Sequence, residues 1–211
     1  AQDVTIAGLT ITNGYTAGSG GGICANGNVD DMVITNCVIA DCHADGAGGA
    51  IFFKKSDMLV VDCVISNCTA GGSGGAIGRN GTGAGGTFTF ERTTFADNQA
   101  GASGGAINTA NGTGACRLHV TDCVFENNSS SQGGAIWVRT SVAGFDEYTI
   151  RNSTFHANTS SGQSGAVDVG NGGILFSNCT FSENEAQGGD GGAVYPECPG
   201  TVGFFSCTIV S

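Results

Sequence analysis

Apolar residues recur along the chain in a fixed phase. Ile11, Ile39, Ile65, Phe95, Phe125, Phe155, Phe181 and Ile209 are separated by intervals of 26 to 30 residues. Each of these core anchors is preceded, at five and seven positions, by further apolar residues, such as Phe90 and Phe88 before Phe95. Period-two alternation puts the two preceding residues on one buried strand face, and the anchor is the inward residue beyond the bend that follows them. Three positions before the anchor the column is mostly turn formers, Asn36, Asp62, Asp122, Asn152 and Asn178 among them, so the strand bends there. Two positions before the anchor, from the second repeat on, it is small: Cys37, Cys63, Thr93, Cys123, Ser153, Cys179 and Cys207. Three positions after it stand Gly14, Cys42, Cys68, Asn98, Asn128, Asn158 and Asn184. An Asn at a corner can satisfy turn backbone and stack on its copy one coil away, which predicts a ladder of Asn98, Asn128, Asn158 and Asn184.

A second motif keeps the same rhythm. Gly74-Gly75-Ala76-Ile77 has counterparts at Gly20 to Ile23, Gly48 to Ile51, Gly104 to Ile107, Gly133 to Ile136, Ser164 to Val167 and Gly191 to Val194. A fixed period of this length is the signature of a solenoid that buries its core by stacking. The pattern predicts an all-β parallel β-helix with three short strands per coil and seven to eight coils, a rod of roughly 35 Å. Because the repeat runs from the first ten residues to the last ten, one domain is expected over 1–211, as part of a longer chain.

Composition narrows the function. The formal net charge of -11 works against nucleic acid and anionic membranes as partners, and no stretch approaches a membrane span. Ten Cys without a C-x-x-C pair, and only three His, give no zinc spacing and point to an oxidising compartment. In-register columns place neighbouring Cα atoms about 4.8 Å apart, so Cys42-Cys68, Cys37-Cys63 and Cys179-Cys207 are candidate bridges. The alternative is that inward Cys serves as a small buried residue beside Thr93 and Ser153, with Cys123 a free thiol. Sequons at Asn67, Asn80, Asn111, Asn127, Asn128, Asn152, Asn158 and Asn178 are candidate N-glycosylation sites; an Asn-, Ser- and Thr-rich repeat also produces them by chance.

The paired motifs, Gly74 to Ile77 with Phe95 to Asn98 and Gly104 to Ile107 with Phe125 to Asn128, resemble the repeat of the chlamydial polymorphic outer-membrane proteins. The resemblance extends over essentially the whole chain. It implies a right-handed β-helix and an adhesin-like, secreted or surface-displayed protein. Cys42 and Cys68 depart from the repeat's Asn.

Candidate chemistry is sparse. Polysaccharide lyases and hydrolases need clustered or paired carboxylates, and none is evident around Asp168, His119 or His156, with Arg139 near Asp168 the nearest approach. The expectation is therefore no enzyme, no catalytic residue, no metal and no cofactor. The position after each Gly-Gly-Ala-Ile strand should face outward, so Phe52, Trp137, Asp168 and Tyr195 form a candidate glycan-binding face, unless loops cover the rings. The reading is an extracellular or cell-surface β-helix acting as adhesive or structural material. Its expected partners are a surface glycan or protein receptor, or further coils or copies stacked end to end. A carbohydrate-active enzyme is the alternative, followed by a head-to-tail filament subunit or an ice-binding protein. The last rests on outward Thr10, Thr94, Thr154, Thr180 and Thr208, interrupted by Val38, Val64 and Val124.

Overall fold

Each coil lends one strand to each of several parallel sheets, and every strand pairs with its counterpart one repeat away. The computed structural model describes residues 2–27, 29–54, 57–79, 86–109, 116–139, 147–170, 172–197 and 200–210. Among them the first sheet has eight strands, from Gln2–Ala7 to Val202–Phe205, and the second eight, from Thr10–Thr12 to Thr208–Val210. The third has seven, from Tyr15–Thr16 to Glu185–Ala186, and the fourth seven, from Ile23–Ala25 to Val194–Pro196. Four strands per coil thus replace the expected three. The additional one, such as Ser129–Ser130, is two residues long and too short to show alternation in the sequence.

The corners account for the turn formers. Asn36, Asp62, Asp122, Asn152 and Asn178 all have φ between 49° and 56°, the left-handed region that Asn and Asp tolerate best. Arg92 holds the same corner in its coil at φ 45°. Its guanidinium forks onto Asp62 one coil below, Nε to Oδ1 at 2.7 Å and Nη2 to Oδ2 at 3.1 Å, and this bond holds the Asp62 carboxyl below its usual range. The Gly-Gly motif serves two purposes. Gly74 takes φ 71°, and a Cβ on Gly75 would overlap the carbonyl oxygen of Gly105 in the next coil.

Stacking fills the core. Ile39, Ile65, Phe95, Phe125, Phe155 and Phe181 are fully buried, whereas Ile11 is half-buried and Ile209 exposed on the outermost rungs. The Phe95, Phe125, Phe155 and Phe181 rings lie parallel with centroids 5.0, 4.7 and 4.9 Å apart. Phe90 and Phe176 brace the two ends of that stack edge-on. Beside it runs the amide ladder. The Oδ1 of Asn128 accepts from the backbone N–H of Asn98 at 3.1 Å and from its Nδ2 at 3.0 Å, while Asn128 Nδ2 donates to Phe95 O and to Asn158 Oδ1, both at 2.9 Å. The pattern continues to Asn184 and leaves no amide atom of Asn128 unused.

The cysteine bridges expected at Cys42-Cys68, Cys37-Cys63 and Cys179-Cys207 do not form; all nine described cysteines are free thiols. Each paired thiol turns instead to the carbonyl two residues back, as Cys37 Sγ does to Thr35 O and Cys63 Sγ to Val61 O, both at 3.2 Å. Thr93 and Ser153 hydroxyls make the same bond, to Glu91 O at 2.9 Å and Arg151 O at 2.7 Å. The column therefore selects a small side chain that can donate to the bend, and thiol and hydroxyl are interchangeable there.

Replacing Phe125 by Ala should lower stability by about 3 to 5 kcal/mol, because it opens a cavity between two stacked rings. Asn128→Ala should cost about 1 to 3 kcal/mol by orphaning the Asn98 N–H and removing the bonds to Phe95 O and Asn158 Oδ1. Melts of either variant that overlay the parent would contradict this register. Burial pushes the Cys68 thiol up to about 12 and Cys123 up to about 11. Since the thiolate is the reactive form, mass spectrometry after native alkylation should find exposed Cys24 labelled and those two untouched until the chain unfolds.

Candidate functional site

The fourth sheet turns one column outward, in which Cys24, Phe52 and Gly78 stack in register, followed by Asn108, Trp137, Asp168 and Tyr195. This column tucks against the left-handed turns that open each Gly-Gly motif: a Cβ on Gly133 would lie 3.2 Å from Asp168 Cβ. Phe52 is consequently only 5% exposed, and Gly78 and Asn108 separate it from Trp137. The expected four-residue face is thus corrected to three consecutive rungs, Trp137, Asp168 and Tyr195. Trp137 and Tyr195 are half-buried.

Two residues further along the same strands a second column completes a grid. Arg139 pairs in register with Gly170, and Glu197 follows on the next coil, where its N–H donates to Val169 O at 2.8 Å. Arg139 Nη2 reaches over Gly170 to Glu197 Oε2 at 3.1 Å. Glycine eases that bridge, because a Cβ on Gly170 would stand 3.0 Å from Arg139 Cγ and 3.1 Å from Glu197 Oε2, and both side chains would have to shift by a few tenths of an ångström. The guanidinium also lies 5.9 Å from the Trp137 ring centroid.

Asp168 is the chemically unusual member. It is 2% exposed, and its Oδ1 has no hydrogen-bond partner among the described residues. Burial pushes its carboxyl up to about 7, the Glu197 charge adds to the rise, and Arg139 opposes it. Near neutral pH it can thus accept a hydrogen bond as a carboxylate or donate one as an acid. Nearness of Arg139 to Asp168 was readable from the repeat phase. Glu197 was not, because it lies just past a strand ending in Pro196. Arg79 was also illegible: it occupies an inward position, buried, with its guanidinium 5.0 Å from the Phe88 centroid, and burial lowers its pKa.

The remaining candidates separate by exposure. Asn67, Asn127, Asn152 and Asn178 are exposed at corners, whereas Asn128 and Asn158 are fully buried with their amides committed to the ladder. Native Asn128 and Asn158 cannot carry a glycan and keep those bonds; Asn80 and Asn111 lie outside the described residues. Two grooves lie on other sheets. One of about 460 Å³ is lined by Asp31, Asp57 and Glu91 around Val33 and Leu59, and one of about 300 Å³ by Gln99, Ser129, Ser131, Thr159, Ser161 and Gln187. Among the described residues no three His, Cys, Asp or Glu converge as a metal cluster.

Because the folded carboxyl of Asp168 titrates near 7 and its ordinary value is 3.8, the native state keeps a proton that the unfolded chain has released. Its contribution is intact below about pH 4 and is lost as pH rises through about 7. Asp168→Asn should therefore match the parent's melting temperature near pH 4 and exceed it increasingly toward pH 8. Parallel profiles of melting temperature against pH would contradict that assignment.

Comparison with known proteins agrees with this architecture. Residues 1–146 match the family described as Right handed beta helix region, and residues 178–195 match the Chlamydia polymorphic membrane protein (Chlamydia_PMP) repeat. No curated protein and no solved structure matches the chain. With more than half of its residues matched and its parallel ladders continuous from coil to coil, the chain belongs to the right-handed β-helix family.

Proposed function

We propose that this β-helix is non-catalytic adhesive or structural material of a cell surface, and that it binds glycans on the Trp137, Asp168 and Tyr195 rungs. The repeat match at residues 178–195 supports the surface setting. The observation that carries the binding reading is a buried carboxyl with an unpartnered oxygen, set between two aromatic residues on consecutive rungs. Aromatic rings stack on sugar C–H faces while carboxyl, guanidinium and carboxylate groups meet the hydroxyls. A protein receptor on the same face, or stacking of further coils or copies on the ladders, fits the same role; Phe204, exposed on the last rung, already stacks on Phe176 at 4.9 Å.

One observation favours the second reading, a carbohydrate-active enzyme: Asp168 is held near neutrality beside Glu197 and Arg139, as a general acid would be. A glycan array combined with a polysaccharide-turnover screen separates the two. Saturable binding without product is the expected result, and turnover of a bound polysaccharide would replace the main reading with the second. Trp137→Ala should abolish the binding while lowering the melt far less than Phe125→Ala; a loss of comparable size would mean the indole is core rather than contact surface.

A further inference from the structure

The three histidines share one local design and differ in one respect. Each sits outward on a strand with Nδ1 bonded to a hydroxyl in the next coil: His43 to Thr69 Oγ1 at 2.6 Å, His119 to Thr149 Oγ1 at 2.8 Å, and His156 to Ser182 Oγ at 3.0 Å. Among the described residues, only His43 also has a carboxylate on its other nitrogen, with Nε2 3.0 Å from Asp45 Oδ1. Its ring is further fixed by Tyr15 one coil below, stacked at 5.6 Å and 3°, whose hydroxyl donates to Asp45 Oδ2 at 3.3 Å.

We propose that His43 Nε2 and Asp45 Oδ1 form a surface site for a divalent transition-metal ion of the copper(II) class. Two ligands at about 2.1 Å and right angles to each other lie about 3.0 Å apart, so the Nε2 to Oδ1 separation matches the bite of a cis pair. Entry of the ion displaces the proton between the two atoms: in the neutral ring it passes from Nε2 to Nδ1, so Nε2 ligates through its lone pair and Nδ1–H donates to Thr69 Oγ1. That is the outer bond by which metal-binding imidazoles are oriented. Both side chains are open to solvent, at 45% and 51% exposure, leaving the other coordination positions to water. One imidazole and one carboxylate with open positions favour copper(II) over earlier divalent ions by the general affinity order, and the bonds from His43 Nδ1 to Thr69 and from Tyr15 to Asp45 orient the two ligands from their far sides. The site lies in the second coil, three rungs from Trp137, and does not depend on the glycan reading.

The test uses the full chain in a Cys24→Ser background, since that exposed thiol would itself react with copper. Copper(II) titration followed by electron paramagnetic resonance should show one axial species at one equivalent, with hyperfine coupling from a single imidazole. His43→Gln should remove that species with an unchanged thermal melt. Asp45→Asn and Thr69→Val should each weaken binding by about 10-fold or more. His119→Gln and His156→Gln should leave it unaltered. The proposal is overturned if no ion binds at a ten-fold excess of copper, if the species survives His43→Gln, or if the His119 and His156 variants reduce it equally.

Discussion

Backbone hydrogen bonding between successive coils is the constraint from which the rest follows. Parallel pairing sets each residue about 4.8 Å from its counterpart one repeat away, so a side chain in any column must be compatible with a copy of itself. Flat rings satisfy that condition by stacking, as Phe95, Phe125, Phe155 and Phe181 do. Primary amides satisfy it because they donate and accept along one axis, hence the ladder from Asn98 to Asn184. Small donors satisfy it at the bend, where thiols and hydroxyls replace one another. Isolated charges do not, and Asp62 is followed one coil on by Arg92.

The same constraint turns the outer surface into rows with fixed spacing, so chemistry arises where a row breaks its own pattern. On the fourth sheet a carboxyl interrupts an aromatic column, and a glycine beside it lets Arg139 reach Glu197 two coils away. On the third sheet one of three similar histidines acquires a carboxylate and a ring partner. In each arrangement one member lies just past a short strand, Glu197 after Val194–Pro196 and Asp45 after His43–Ala44, and paired strands position the others.

Much of this was legible in the sequence because solenoid stacking converts sequence period directly into spatial neighbourhood. The anchors, the left-handed corners and the Asn column all have residue types dictated by one local requirement repeated in every coil. What escaped was whatever depends on side-chain direction or on strands too short to alternate. The third sheet consists of two-residue strands such as His43–Ala44, so the pairing of His43 with Tyr15 and Asp45 had no periodic signal. Phe52 sits in an outward column yet is covered, since its coil's Gly turn packs over the same strand. In-register cysteines satisfied the distance a bridge requires, but their thiols point to carbonyls, and no spacing rule reports rotamers.

The central claim is that stability is built from contacts between adjacent coils, and double-mutant cycles along the amide ladder test it most directly. Asn128 and Asn158 are adjacent rungs, whereas Asn98 and Asn158 are separated by one. Nearest-neighbour stacking predicts a coupling free energy above about 0.5 kcal/mol for Asn128→Ala with Asn158→Ala, and additivity within about 0.5 kcal/mol for Asn98→Ala with Asn158→Ala. Additivity in the adjacent pair, or equal coupling in both pairs, would contradict the account.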